Sequence, residues 1–256
     1  MKKLKTLFIV LIFVLITFIN VTAQETEKIK VNAGTDLVSN YIWRGVPSTS
    51  PDANGNSQLS PNFEPGLSVG IGGFTIGAWG SYDFMGKYHE TDLYASYAIG
   101  PISLTFTDYF WAYSAKYFNY KSAETSHIFE GAVAFTGTEK LPLTVSVSTF
   151  LYGADKKILT DSTVTDPKKQ NFSTYIEVGY TFKLGSSSLS PFVGVTPADG
   201  YYGDGYGNVK GFQVVNVGAT ATKSLAFSDK LSVPVKLSLI YNPVMEKSFL
   251  VVGFTF

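Results

Sequence analysis

Hydrophobic and polar residues alternate with a period of two along most of the chain, as a half-buried strand requires, with no sustained helical period beyond the N-terminus. The first such stretch, 29–46, carries Ile29, Val31, Ala33, Leu37, Tyr41 and Trp43 on one face. Lys30, Asn32, Asp36, Asn40 and Arg44 lie on the other. The same beat predicts strands over 62–71, 74–84, 90–99, 102–111, 127–135, 143–152, 172–182, 189–196, 210–222, 231–241 and 248–256. Turn-forming residues separate them: Gly72-Gly73, Gly100-Pro101, a turn near Gly137, one at 183–188 and one at 227–230. These short connections alternate with longer polar ones at 47–60, 85–89, 114–126, 153–170 and 197–208, read as exposed loops. About twelve strands with long and short connections in phase predict an all-β, antiparallel, up-and-down transmembrane barrel, both chain ends on the short-turn side. A soluble sandwich would also alternate, but has no need to keep its connections in phase.

The last stretch carries the strongest apolar face, with Leu250, Val252, Phe254 and Phe256 in alternate positions. A final strand of this kind has to zip onto the first so that no sheet edge is left open in lipid. It is similar to the C-terminal signal read by the bacterial barrel-assembly machinery, an expected partner together with outer-membrane lipid. At the other end, Lys2, Lys3 and Lys5 precede an apolar run from Leu7 to Ile19 and the small-residue close Val21-Thr22-Ala23. That order predicts a secretory signal peptide over 1–23, a barrel domain over 24–256 and export to the bacterial outer membrane. Cysteine is absent, which excludes disulfides, thiolate nucleophiles and Cys-ligated metals. Twenty basic residues balance twenty acidic ones, so nucleic acid has no electrostatic footprint to bind. Aromatic residues at 15% nearly equal charged residues at 16%, which suits a wall with aromatic girdles. Tyr41, Trp43, Tyr82 and Phe84 are the expected girdle residues.

Three segments carry a family resemblance: SNYIWRGV at 39–46, GAWGSYDF at 77–84, and ETDLYASYAIG at 90–100 with the aromatic strand that follows it. Together they resemble the TorF-type porins, small bacterial outer-membrane barrels. The resemblance covers the first half of the exported chain, and beyond residue 114 only the architecture continues it. It implies a membrane location and the passage of small solutes.

The polar strand faces collect Asp36, Glu64, Asp83, Glu90, Asp92, Glu130 and Glu177 against Lys30, Arg44 and Lys236. Such a lining, acidic on balance, favours cations if it is wet. If the narrow interior is filled, the same charges pair and brace the wall. Arg44 is expected to point inward near the outer rim, to bind an anionic group or to pair with Asp36 or a carboxylate on a neighbouring strand. The two histidines, His89 and His127, are both expected near that rim, where a lipid hydrolase would place its base. Ser126 and His127 are adjacent, however, and point to opposite faces of an extended strand. The spaced Asp, Gly and Asn of 199–208 offer oxygen ligands for calcium but follow no EF-hand spacing. The sequence therefore predicts a non-enzymatic barrel without cofactor or resident metal, acting as a porin or narrow channel. A surface barrel whose loops mediate adhesion is the alternative, and a rim-located lipid hydrolase the third.

Overall fold

The computed structural model describes residues 28–48, 59–111, 116–158, 165–205, 207, 209–228 and 231–256. The expected signal peptide lies outside them. Twelve staves form one antiparallel sheet: β1 (Lys30–Val38), β2 (Asn62–Ile71), β3 (Phe74–Asp83), β4 (His89–Ile99), β5 (Ile102–Phe110), β6 (His127–Phe135), β7 (Leu143–Gly153), β8 (Thr174–Tyr180, continued by Phe182–Leu184), β9 (Ser187–Thr196), β10 (Gln213–Ser228), β11 (Leu231–Asn242) and β12 (Lys247–Thr255). Every stave pairs with its neighbours in sequence, and β12 returns to β1 through Asp36↔Thr255, Leu37↔Phe254 and Val38↔Gly253. The sheet is thus a closed barrel with no free ladder along the seam. Two further backbone bonds, Thr35 N to Phe256 O at 3.0 Å and Phe256 N to Thr35 O at 2.9 Å, extend it.

Strand parity sorts the two faces. Leu67, Ile76, Leu93, Phe106, Val133, Val147, Leu237, Leu239 and Leu250 are large apolar side chains left exposed on the outside. An aqueous surface would be penalised for such a band, whereas hydrocarbon accepts it, so the wall is built for a bilayer. Tyr82 and Phe84 stand exposed near the long-loop end, and Tyr97, Tyr180 and Phe182 near the other. On the inner face, glycines make room for aromatic rings. Tyr94 lies over Gly77, Tyr175 over Gly194 and Phe192 over Gly218, each ring occupying the volume that a Cβ would need.

Five expectations change. The first strand stops at Val38 rather than Val46, because residues 39–47 leave the wall and fold inward. Tyr41 and Trp43 are therefore lumen residues, not girdle residues. The segment 153–170, expected as loop, carries a hairpin pairing Lys156–Ile158 with Thr165–Gln170. β10 reaches Ser228, well past the expected end at 222. The connections keep their phase but not a strict length rule: 243–246 at the long-loop end is shorter than 136–142 at the other.

Candidate functional site

The site begins where the chain abandons alternation. Ser39 fastens the departure point, its N–H donating to Val252 O at 2.8 Å and its Oγ accepting from Val252 N at 3.0 Å. Ile42–Trp43 then pairs with Val46–Pro47 around a two-residue turn, Arg44-Gly45. Both turn residues have positive φ, 52° and 83°, as the type I′ hairpin turn requires. Only glycine fits the second place, since a Cβ there would sit 2.5 Å from Val215 O. The turn aims Arg44 across the lumen.

Arg44 meets Glu130 of β6 as a fork. Nη1 donates to Oε2 at 2.5 Å and Nη2 to Oε1 at 2.9 Å. Nη1 also donates to Tyr202 Oη at 2.5 Å and Nη2 to Ser148 Oγ at 3.1 Å. Glu130 accepts two more bonds, from Tyr109 at 3.1 Å and Tyr202 at 3.0 Å. Both charges are thus hydrogen-bonded on several sides, the condition under which a buried pair holds rather than destabilises. Trp43 and Tyr175 present ring faces to the guanidinium at 4.5 and 5.0 Å. Around this pair Tyr109, Ile128, Phe150, Tyr175, Tyr202 and Val215 form a packed cluster inside the barrel, with Trp43, Trp111 and Tyr201 against it. Tyr202 comes from the stretch 197–208, expected as surface loop, and is fully buried. Asn242 ties the two intruding segments together, donating to Gly45 O at 2.9 Å and Gly203 O at 2.7 Å. The long-loop end of the lumen is therefore occupied by a built core.

The other candidate residues fall into separate groups. Asp36 pairs with Lys236 at 2.9 Å, so Arg44 and Asp36 are not partners. Glu177 accepts from Tyr175 and from Asn216 at 3.3 Å. Asp83 caps the β3–β4 turn, accepting from Lys87 N at 2.7 Å. Glu90 accepts from Tyr88 and lies against Asp92 and Tyr41, with Glu64 close by. Below this group, toward the short-turn end, the lumen opens into a cavity of about 540 Å³ whose lining includes Asn32, Asp36, Glu64, Ser68, Trp79 and Tyr94. Lys30 is exposed at the start of β1.

Of the last strand, Leu250, Phe254 and Phe256 are exposed on the outer face and Val252 is half-buried there, all beside the seam. His127 turns to the outer face as well. Its Nδ1 lies 2.7 Å from Asp108 Oδ1 and its Nε2 2.5 Å from Tyr117 O, so both ring nitrogens are engaged and neither is free as a base. His89 opens β4 opposite Tyr82. In the 199–208 stretch, Asp199 and Asp204 accept backbone N–H groups of Gly211 and Gly207. Among the described residues no group of three or more His, Cys, Asp or Glu is placed to hold a metal ion.

Sequence reasoning missed Tyr202, Ser148 and Tyr109 as parts of the Arg44 site. The available signal was local: an Arg-Gly pair between two short apolar dipeptides is a hairpin turn as readily as a continuing strand.

No protein-family model matches the chain, and no curated protein matches it. Among solved structures it is similar to porins of Rhodopseudomonas blastica. One mutant porin superimposes with a TM-score of 0.42 at 15% identity, over 89% of this chain and 73% of that one. A second gives 0.40 at 13%, over 93% and 80%. A triple mutant gives 0.39 at 14%, and there the chain spans only 55% of the porin's length while 76% of it is covered. The likeness is one of general shape.

Proposed function

We propose that this chain is an outer-membrane barrel of the channel type, exported through an N-terminal signal peptide and inserted by the barrel-assembly machinery, which admits small solutes to an acidic inner vestibule. The observation that carries the reading is the 540 Å³ cavity inside the lumen, walled by Asp36 and Glu64 and capped by a folded-in hairpin. A barrel whose interior served only as a core would be filled along its whole length. Carboxylates outnumber bases around the cavity, which supports a preference for cations. The packed Arg44 hairpin closes the long-loop end, so it is the part that has to be displaced for solutes to pass.

The test is conductance of the purified protein in planar bilayers, with reversal potential measured under a salt gradient. A cation-selective conductance that rises when Arg44 is replaced by alanine supports the reading. The packed long-loop end favours one other function, a non-transporting surface barrel whose loops bind a partner. Absence of conductance in both the wild type and Arg44→Ala would refute the channel and leave that alternative to be tested by its own binding partner. Fractionation with N-terminal sequencing of the exported protein checks location and the processing site near residue 23.

A further inference from the structure

The vestibule combines three features that a wet, passive lining does not need. First, Glu64 has a buried Oε1 with no hydrogen-bond partner, and among the described residues no basic nitrogen lies within 4 Å of it. Second, Asp92, 5% exposed, lies outside the cavity lining but opposite its Trp79 in the β3–β4 register, and although it meets Glu90 it also holds an Oδ1 without a partner. Third, aromatic side chains share the cavity wall with Glu64. Trp79 and Tyr94 line the cavity, and Tyr41 from the inward hairpin packs on Trp79 with ring centroids 5.4 Å apart. Stranding a carboxylate oxygen away from water is costly unless a donor or a cation arrives or the group holds a proton, so a bound cation is what would let Glu64 keep its charge. The wall already accepts one ammonium group: Lys236 Nζ lies 2.9 Å from Asp36, the register neighbour of Glu64.

We infer that this vestibule binds a small organic cation, an ammonium group on a compact apolar body, with the charge at Glu64 and the body against Trp79 and Tyr94. Ring faces attract ammonium by cation–π interaction, and a carboxylate without its own base supplies the counter-charge. A divalent metal is a poorer match, because the acidic groups are spread along the wall and no ligand set converges among the described residues. The cavity of about 540 Å³ is in the range of small-molecule sites and exceeds what one inorganic ion needs. This inference names a substrate class for the channel proposed above and rests on that reading for its purpose.

The test compares choline with 3,3-dimethylbutan-1-ol, which has the same shape with carbon in place of the charged nitrogen. Calorimetric titration of each into the full-length protein in non-ionic detergent needs no variant. Choline is expected to bind at least about tenfold more tightly, equivalent to about 1.4 kcal/mol, and to lose affinity as salt is raised. Glu64→Gln and Trp79→Leu should each weaken choline about tenfold while the barrel keeps its heat-dependent gel shift, and Glu64→Asp should restore part of the binding. Equal affinity for the two compounds, no choline binding, or choline binding indifferent to Glu64→Gln would overturn the inference. Conductance without choline binding defeats this inference alone. Choline binding without conductance defeats the channel reading alone and leaves the site.

Discussion

Replacing Glu130 with alanine should destabilise the barrel by about 3–5 kcal/mol, the cost of leaving one member of a buried pair without the other. The geometry places it in that range. Glu130 is 3% and Arg44 17% exposed in their side chains, so little water is available to the stranded guanidinium. After the substitution Arg44 still donates to the Tyr202 hydroxyl and Ser148 Oγ, both neutral, beside the ring faces of Trp43 and Tyr175. Arg44→Ala should cost less, because Tyr109 and Tyr202 continue to donate to the carboxylate. Removing both charges together in the double variant Arg44→Ala/Glu130→Ala should cost less than the two single losses added, by a coupling of about 2–3 kcal/mol. Urea unfolding of the barrel in lipid vesicles measures all four proteins. Trp43, 4.5 Å from the guanidinium, reports the hairpin in its fluorescence. Single variants that each cost under about 1 kcal/mol, or that add without coupling, would show that the pair does not clamp the hairpin.

Three other outcomes follow from the same structure. Arginine at Val147, exposed on the outer face, should destabilise by about 2–4 kcal/mol while arginine at the inward Ser146 should cost far less; equal losses in vesicle unfolding would invert the parity of β7. Phe254→Asp puts a charge on the lipid face at the β12 seam and should lower the amount of folded protein recovered from outer membranes, while unchanged recovery would show that the seam tolerates charge. Burial holds the Asp155 carboxyl at the long-loop rim above its ordinary value, despite bonds from Ser173 and Gln170. The folded state therefore keeps this proton to higher pH than the unfolded chain, and stability should fall as pH rises from about 4 through the raised value. Asp155→Asn should remove that slope from the urea midpoint measured against pH.

The wall of this protein is written locally. Alternation places Leu67 outside and Ser68 inside whatever the rest of the chain does, because successive strand residues face opposite ways. The glycine-bearing turns at Gly72, Gly100 and Gly185, each with positive φ, set where staves reverse. The twelve-stave ring and its lipid-facing band follow from those two signals, since a chain of hairpins in hydrocarbon has to close. The contents of the lumen are another matter. Between Ser39 and Pro47 the alternation lapses, with Ile42 and Val46 on the face of Arg44, and the Arg44-Gly45 pair allows a turn, but nothing there states where that turn would carry Trp43. What draws this segment inward is Glu130, separated from Arg44 by 86 positions, and Tyr202, separated by 158. Those groups become neighbours only after the sheet has closed and two loops have folded into the same space. The identity of each carboxylate was therefore visible in the chain. Whether it would be clamped, like Glu130, or left facing a cavity, like Glu64, was decided by contacts across the barrel, which no spacing along the chain encodes.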